Sequence, residues 1–511
     1  MMNIKRVISG ILLLLLFSIS SVLAEDLQNA DIAKLAAQPK FDERDYGTVT
    51  PVRDQGNTSL CWAYSAASAS ETSILRSGID KSVNANSLLL SPQQIGYARH
   101  NRGADPLGNT TGETTSNAWN WTNAGGGTKY AAALLSTWCG PVKSDIAYNA
   151  NGWDNAAYKL ESAIAVDGRN LNTDESAREK MKRAIVKYGA VTFSYNNARE
   201  TYYYNPNGES GSSPHACTII GWDDTIPAEN FYPGRTVTNG GWLVKNSYSS
   251  LPYFYLSYEV TCEQIYAFDY ALNEKYDCNY FYDASASDSG TGSLLQIKQA
   301  ANVFEAKGSD ENTIELIKAV SVGTVGENAN CTVQIYTDVP DGDFNPETAV
   351  LAASKTVHFE YGGFNCIELD TPVEVKKGSK FAAVVKVSNA YIAMSENEGN
   401  SYVYRGGWNL SQAVRIKVFT KTEEKKNSFV EFVDKTKVKA GGSGTKTLIL
   451  AMYEKERLKA WRIETVNFDT EREKTVMLPP GWEQEENVCF KAFLWNGMPD
   501  ISPVCPSAEF Y

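Results

Sequence analysis

From Phe41 to about Phe268 the apolar positions follow two different periods. Ala63, Ala66, Ala67, Ser70 and Ile74 fall on one helical face, and small residues there predict a deeply buried helix. The short, mostly apolar runs Ala190–Tyr195, Ala216–Ile220 and Trp242–Lys245 predict buried strands. After about Asn273 the helical spacing stops. Runs such as Thr332–Thr337, Thr356–Tyr361 and Phe381–Val387 follow, separated by Gly, Pro, Asn and Asp. They predict a jelly-roll-type β-sandwich. The charged stretch Lys421–Lys426 marks a join. Beyond it, Thr447–Tyr453 and Val488–Trp495 predict a small immunoglobulin-like β-sandwich. The chain is therefore expected to be α+β: a short polar lead over 25–39, a mixed domain over 40–272, and sandwiches over 273–425 and 428–511.

The first residues stand apart. Lys5 and Arg6 precede the apolar run Ile11–Phe17, and Val22 and Ala24 supply the small residues of a cleavage site. That order is expected of a secretory signal peptide over 1–24, and so of a secreted, extracellular protein. The apolar core is short for a membrane anchor, and no later stretch is long and apolar enough to span a bilayer.

Charge and rare residues narrow the chemistry. The 48 basic and 60 acidic side chains give a net charge of −12, and loss of the leader removes two more positive charges. That balance opposes nucleic-acid or anionic-membrane binding. Nine Cys is an odd count, so at least one thiol is left without a partner in the chain. With only His100, His215 and His358, and no His-Glu-x-x-His, a zinc hydrolase is not expected. Asp338, Asp341, Asp343 and Glu347 lack the full calcium-loop pattern and read as a solvated turn. No metal and no cofactor is expected.

The segment Gln55-Gly-Asn-Thr-Ser-Leu-Cys61-Trp-Ala-Tyr-Ser-Ala reads as a loop entering a helix whose first residue is Cys. A helix N-terminus offers free N–H groups and partial positive charge, which favour a thiolate. The N–H of Cys61 and the amide of Gln55 are two candidate donors to an oxyanion. His215 opens the strand His-Ala-Cys-Thr-Ile-Ile-Gly and can act as base and acid, forming an ion pair with the thiolate. Asn246, in Trp-Leu-Val-Lys-Asn-Ser-Tyr, can orient the imidazole without adding charge.

The order Gln55, Cys61-Trp62, His215-Ala216, Asn246-Ser247 resembles that of papain-like cysteine peptidases, the family whose Cys, His and Asn roles serve as a standard example of such spacing. Phe41–Gly56 is similar to that family's mature N-terminus, Leu90-Ser-Pro-Gln-Gln94 to a helix start, and Lys187–Val191 to the segment before a substrate strand. The resemblance covers about 41–268. It implies a helical lobe and a β-barrel-like lobe, with Cys61 as nucleophile, His215 as base, Asn246 orienting it and Gln55 in the oxyanion hole. The tail resembles a secreted prokaryotic branch that carries a lectin-like sandwich.

The departures carry their own expectations. Thr58 stands where the family has a Cys, so that disulfide is absent. Leu60 replaces a small residue and is expected to narrow the entrance. Tyr248 stands for the Trp that covers the His–Asn bond. The family's Asn-Gly-Cys-x-Gly-Gly substrate shelf is missing, and Gly112, in Gly108-Asn-Thr-Thr-Gly112, is taken as its nearest substitute. His358 reads as structural, His100 as a loop residue and Cys217 as a buried, inert thiol. A turn at Trp495–Pro499 would place Cys489 opposite Cys505 and pair them, whereas Cys331 and Cys366 should face opposite sides of a sheet.

Three functions compete. The first is hydrolysis of protein or peptide substrates by acylation of Cys61. The second is an adhesin or lectin with a decayed peptidase domain, whose sandwich would take a glycan or cell-surface ligand. The third is transfer of the acyl group to another acceptor, or amidase chemistry. The filled positions 55, 61, 215 and 246 favour the first. Because that set closes by Asn246, the sandwiches are expected to be dispensable for cleaving small peptides.

Overall fold

The computed structural model describes residues 31–196, 203–204, 214–283, 296–310, 313–424, 428–468, 473–496, 503–505 and 507–510. The apolar leader, the end of the charged join at 425–426 and the tip of the turn after Asn496 lie outside the described residues. The chain divides into two compact units, one running to Asp310 and over Ile314–Thr422, the other comprising Glu311–Thr313 and Glu423–Tyr511. Among the described residues no helix is long and apolar enough to cross a membrane.

Among the described residues five α-helices occur: α1 (Ile32–Ala36), α2 (Cys61–Ser77), α3 (Pro92–His100), α4 (Thr128–Ser136) and α5 (Glu175–Tyr188). Three of the starts, those of α1, α3 and α5, are capped by a side chain. Asp31 caps α1 through Ala33 N (3.1 Å), and Ser91 caps α3 through Gln94 N (3.1 Å), with Pro92 in the first turn. The segment expected as a polar lead thus contains a helix with Ala36 buried, and Trp222 Nε1 ties it down at the Gln38 carbonyl (2.9 Å). The spacing predicts one buried face for α2, but fourteen of its seventeen residues are buried. Its small polar residues make this tolerable. Ser73 donates to the Phe268 carbonyl (2.5 Å), Ser70 meets the Tyr270 hydroxyl (2.7 Å) and Ser65 donates to the Cys217 carbonyl.

The first ten strands are β1 (Lys40–Asp42), β2 (Asn101–Arg102), β3 (Glu113–Thr114), β4 (Lys159–Val166) and β5 (Val191–Asn196), then β6 (Tyr203–Tyr204), β7 (Pro214–Asp223), β8 (Gly241–Lys245), β9 (Tyr253–Ser257) and β10 (Glu263–Ala271). One antiparallel sheet runs β4-β10-β5-β7-β8-β9-β6, with β1 on β7. It does not end at β4. Strand Gly362–Val375 pairs there, Gly363 opposite Ile164, and the sheet continues into Thr313–Val325, Ile416–Glu424 and Cys278–Tyr280. Gly363 makes the junction possible. Its φ is +84°, and a Cβ there would collide with the Ala163 carbonyl. Phe419, Ala319 and Phe364 from the later strands enter the same core as α2 and α4.

A six-stranded sheet faces this extension across a second core that includes Val320, Val333, Phe381 and Val385. Cys331 lies in that core, whereas Cys366 packs against the core of the helices, so the two face opposite ways. The second unit is a three-stranded and a four-stranded sheet around Val438, Leu448, Leu450 and Phe490. Its register overturns the expected disulfide. Phe490 faces Phe510 and Lys491 faces Glu509, so Cys489 lies beyond the pairing and far out of step with Cys505. Both thiols are free.

Candidate active site

Cys61 opens α2, and no side chain caps the helix. Leu60 does not narrow an entrance. It is 1% exposed and turned inward, where a Cβ on Gly96 would approach its Cδ2 to 2.7 Å. The entering loop is held without the missing disulfide: Thr58 Oγ1 donates to the Gln55 carbonyl (2.8 Å) and Ser59 N to the Thr122 carbonyl (2.8 Å). Burial pushes the Cys61 thiol up. The N–H groups of Ala216, Trp62 and Cys61 itself pull it back, because each favours the thiolate. The thiol therefore faces the residue that follows His215.

His215 lies on β7, opposite Tyr195 of β5, and Asn246 directly follows β8. His215 Nε2 and Asn246 Oδ1 are 2.8 Å apart. The same oxygen accepts the N–H of Ser247 at 2.8 Å and the thiol of Cys217 at 3.4 Å. An amide oxygen only accepts, so Nε2 carries the proton and Nδ1 holds the free lone pair. Burial pushes the imidazole down, and the Asn246 bond pulls it back up. Tyr248 is stacked on the ring, centroids 5.4 Å apart. Cys217 is buried, and burial first and Cys61 second push it well up, so its S–H persists as a donor.

Gln55 is 5% exposed and fixed on three sides. Its N–H donates to the Ser247 carbonyl (2.9 Å), its Oε1 accepts from Ser247 Oγ (2.6 Å), and its Nε2 donates to the Thr58 carbonyl (2.6 Å). A carboxamide carries two N–H bonds, so one remains for another acceptor. Ser247 thus joins the loop before Cys61 to the turn that holds Asn246.

Gly112 lies elsewhere, against the β2–β3 hairpin, where a Cβ would meet the Arg102 carbonyl at 2.8 Å. Gly126 instead packs on the residue after the nucleophile, where any Cβ would strike the indole of Trp62. The signal was present in the run Gly125-Gly126-Gly127 just before α4. Sequence reasoning also missed a buried polar chain behind the site. Lys245 donates to Thr50 (2.9 Å), Thr50 to Glu71, and Glu71 also takes Arg53 (2.5 Å) and Leu90 N (2.7 Å). Burial pushes Lys245 down to about 8. An acid at position 71 in an otherwise small and apolar helix was its only mark. His100 ends α3 rather than sitting in a loop, with Nδ1 2.6 Å from Thr115 Oγ1. His358 meets Asn330 Oδ1 at 3.0 Å on a sandwich strand.

Comparison with known proteins agrees with this geometry. The family described as Papain family cysteine protease matches residues 37–254, and the one described as Lectin like domain matches 280–420. Cathepsin L of Sarcophaga peregrina is 23% identical over 227 residues, covering 43% of this chain and 57% of that protein. Cathepsin K of Mus musculus is 26% identical over 216 residues, covering 41% of this chain and 55% of that protein. The chain thus spans little more than half the length of these curated relatives. The solved cysteine protease and lectin-like domains of Cwp84, a surface layer associated protein of Clostridium difficile, superpose with a TM-score of 0.56 at 22% identity. That likeness covers 78% of this chain and 96% of the solved one, and it establishes the shared fold. With a helix-borne Cys, a His–Asn pair and both matches in register with the two halves of the first unit, residues 37–254 are a papain-family cysteine protease domain and residues 280–420 a lectin-like domain.

Proposed function

We propose that the chain is a secreted cysteine peptidase that hydrolyses peptide bonds through an acyl-thioester on Cys61. The observation that carries this reading is the His215–Asn246 bond of 2.8 Å, on a strand whose next residue, Ala216, offers its N–H to the Cys61 sulfur. His215 Nδ1 takes the thiol proton as Sγ attacks the carbonyl carbon. The oxyanion that forms is met by the N–H of Cys61 and the second N–H of Gln55. The tetrahedral intermediate collapses, the C–N bond breaks, and Nδ1–H protonates the leaving amine. Water then attacks the thioester, gives a proton to Nδ1, and releases the carboxylic acid as the thiol is restored. The leader and the likeness to a surface layer associated protein support an extracellular setting.

Replacement of Cys61 by Ala should abolish hydrolysis of a fluorogenic peptide while the melting temperature stays unchanged. Iodoacetamide should label Cys61 and stop turnover together. A purified variant that still turns over would refute the assignment. Wild-type protein that is labelled at Cys61 but cuts no peptide would favour acyl transfer to another acceptor.

A further inference from the structure

The strand Arg457–Asn467 lies at one edge of the four-stranded sheet of the second unit. It pairs with Thr445–Glu454 on one side and, among the described residues, with no strand on the other. An open edge presents a row of N–H and C=O groups that a further strand can meet. This edge has no proline. Its one register shift lies between Met452 and Tyr453, beside Lys459, so residues 460–467 run in unbroken register.

Its side chains are apolar where water would face them. Leu448, Leu450 and Met452 fill the core between the two sheets of the unit. The alternate positions therefore point to the other face: Ile449 opposite Ile463, and Ala451 opposite Trp461. A sheet face left to water normally reads polar. Here Trp461 is 60% exposed and Ile463 47%. Phe493, opposite Ile449 on the next strand, continues the apolar strip inward. Arg462 and Glu464 alternate with these residues as a partly exposed ion pair.

The order of residues along this edge is complementary to itself. When two copies pair antiparallel about Ile463, that residue meets its own copy and Arg462 meets Glu464 twice by symmetry. Ala460 then meets Val466, Trp461 meets Thr465, and no like charges are opposed. Centring the pair on Arg462 would set guanidinium against guanidinium. Centring it on Trp461 would set Lys459 against Ile463 and Leu458 against Glu464. Residues 428–511 carry 11 basic and 13 acidic side chains, so little of the chain's net charge of −12 holds two copies of this unit apart.

We infer that this edge joins two copies of the chain through a twofold antiparallel pairing centred on Ile463, which doubles the sheet and makes its apolar strip continuous. The inference is independent of the peptidase reading. Its test is sedimentation equilibrium of the full chain carrying Cys61→Ser, so that self-cleavage cannot alter the masses. A strand pair over 460–466 is a small interface, so the dimer should form with Kd on the order of 10–100 µM. Ile463→Lys sets two ammonium groups at the twofold axis, and Arg462→Glu sets carboxylate against carboxylate. Each should weaken the dimer about tenfold or more. Adding Glu464→Arg to Arg462→Glu restores opposite charges across the pair and should return Kd to within about threefold of the parent. These side chains stand at an open edge, so the melting temperature should not change in any of the three variants. A chain that stays monomeric at about 500 µM would overturn the inference. So would a dimer that both single variants leave intact, or a double variant as weak as Arg462→Glu.

Discussion

The ring of Tyr248 lies over the imidazole of His215, with centroids 5.4 Å apart and planes inclined by 25°. Beneath it runs the His215–Asn246 bond, which water would weaken if it could compete. A stacked ring excludes that water. Tyr248→Ala should therefore lower kcat more than it raises KM, because the bond orients the base and touches no substrate pocket. Tyr248→Trp should keep or raise activity. Steady-state kinetics on one peptide decide this, and an unchanged kcat in the Ala variant would show that the ring is not a lid.

Cys217 was expected to be inert, yet its thiol points at Asn246 Oδ1 from 3.4 Å. It supplies the third donor to the oxygen that holds His215. Cys217→Val keeps the volume but removes the donor, and should reduce kcat/KM about two- to fivefold, the size of one weak hydrogen bond. Cys217→Ser should recover part of the loss. Equal rates in all three proteins would assign the thiol to packing alone.

The pH profile follows from two opposed shifts. As a base, His215 works only when neutral, so activity rises as pH passes its pKa. Burial places that pKa below its ordinary 6.5, and Asn246 only partly offsets this. The acid limb of kcat/KM should thus fall below 6.5. Asn246→Ala removes the raising contribution, so the limb should move further down while kcat drops. An acid limb at or above 6.5 on a peptide without ionisable groups would contradict the burial of the imidazole.

What was legible in the sequence was local. The helix beginning at Cys61, the Ser91 cap and strands β5, β7 and β8 each rest on residues within one turn or one run. Gln55, His215 and Asn246 came from their order along the chain, and the structure brings the loop of Gln55, the start of α2 and the His–Asn pair together. What failed was pairing at a distance. Nothing local marks Gly363 as the partner of Ile164, since a Gly-Gly pair reads as a turn. Nothing local says that Leu60 turns inward onto Gly96 rather than out across the cleft. The strand pairing sets position 489 six residues out of step with Cys505, which was enough to part the two thiols.

The same long-range pairing alters where the chain can be cut. Because the catalytic set closes by Asn246, a chain ending near Phe268 was expected to cleave short peptides. Such a chain would lose the partner of β4, since Gly362–Phe364 pairs with Ala163–Ala165. It would also bare Trp138, whose ring packs 4.7 Å from Phe419 and 6.0 Å from Tyr276. Uncovering a large apolar side chain costs about 1.5–3 kcal/mol, a large part of a domain's usual margin when several are bared together. A chain ending at Thr422 keeps every one of these contacts, because the first compact unit ends there. We therefore expect the chain ending at Thr422 to melt cooperatively and to keep the wild-type kcat/KM on a short peptide. The chain ending at Phe268 should aggregate or melt without cooperativity. Circular dichroism melts and turnover of the two truncated proteins check this, and an active, cooperatively folded 25–268 protein would show that the lectin-like domain adds nothing to the catalytic core.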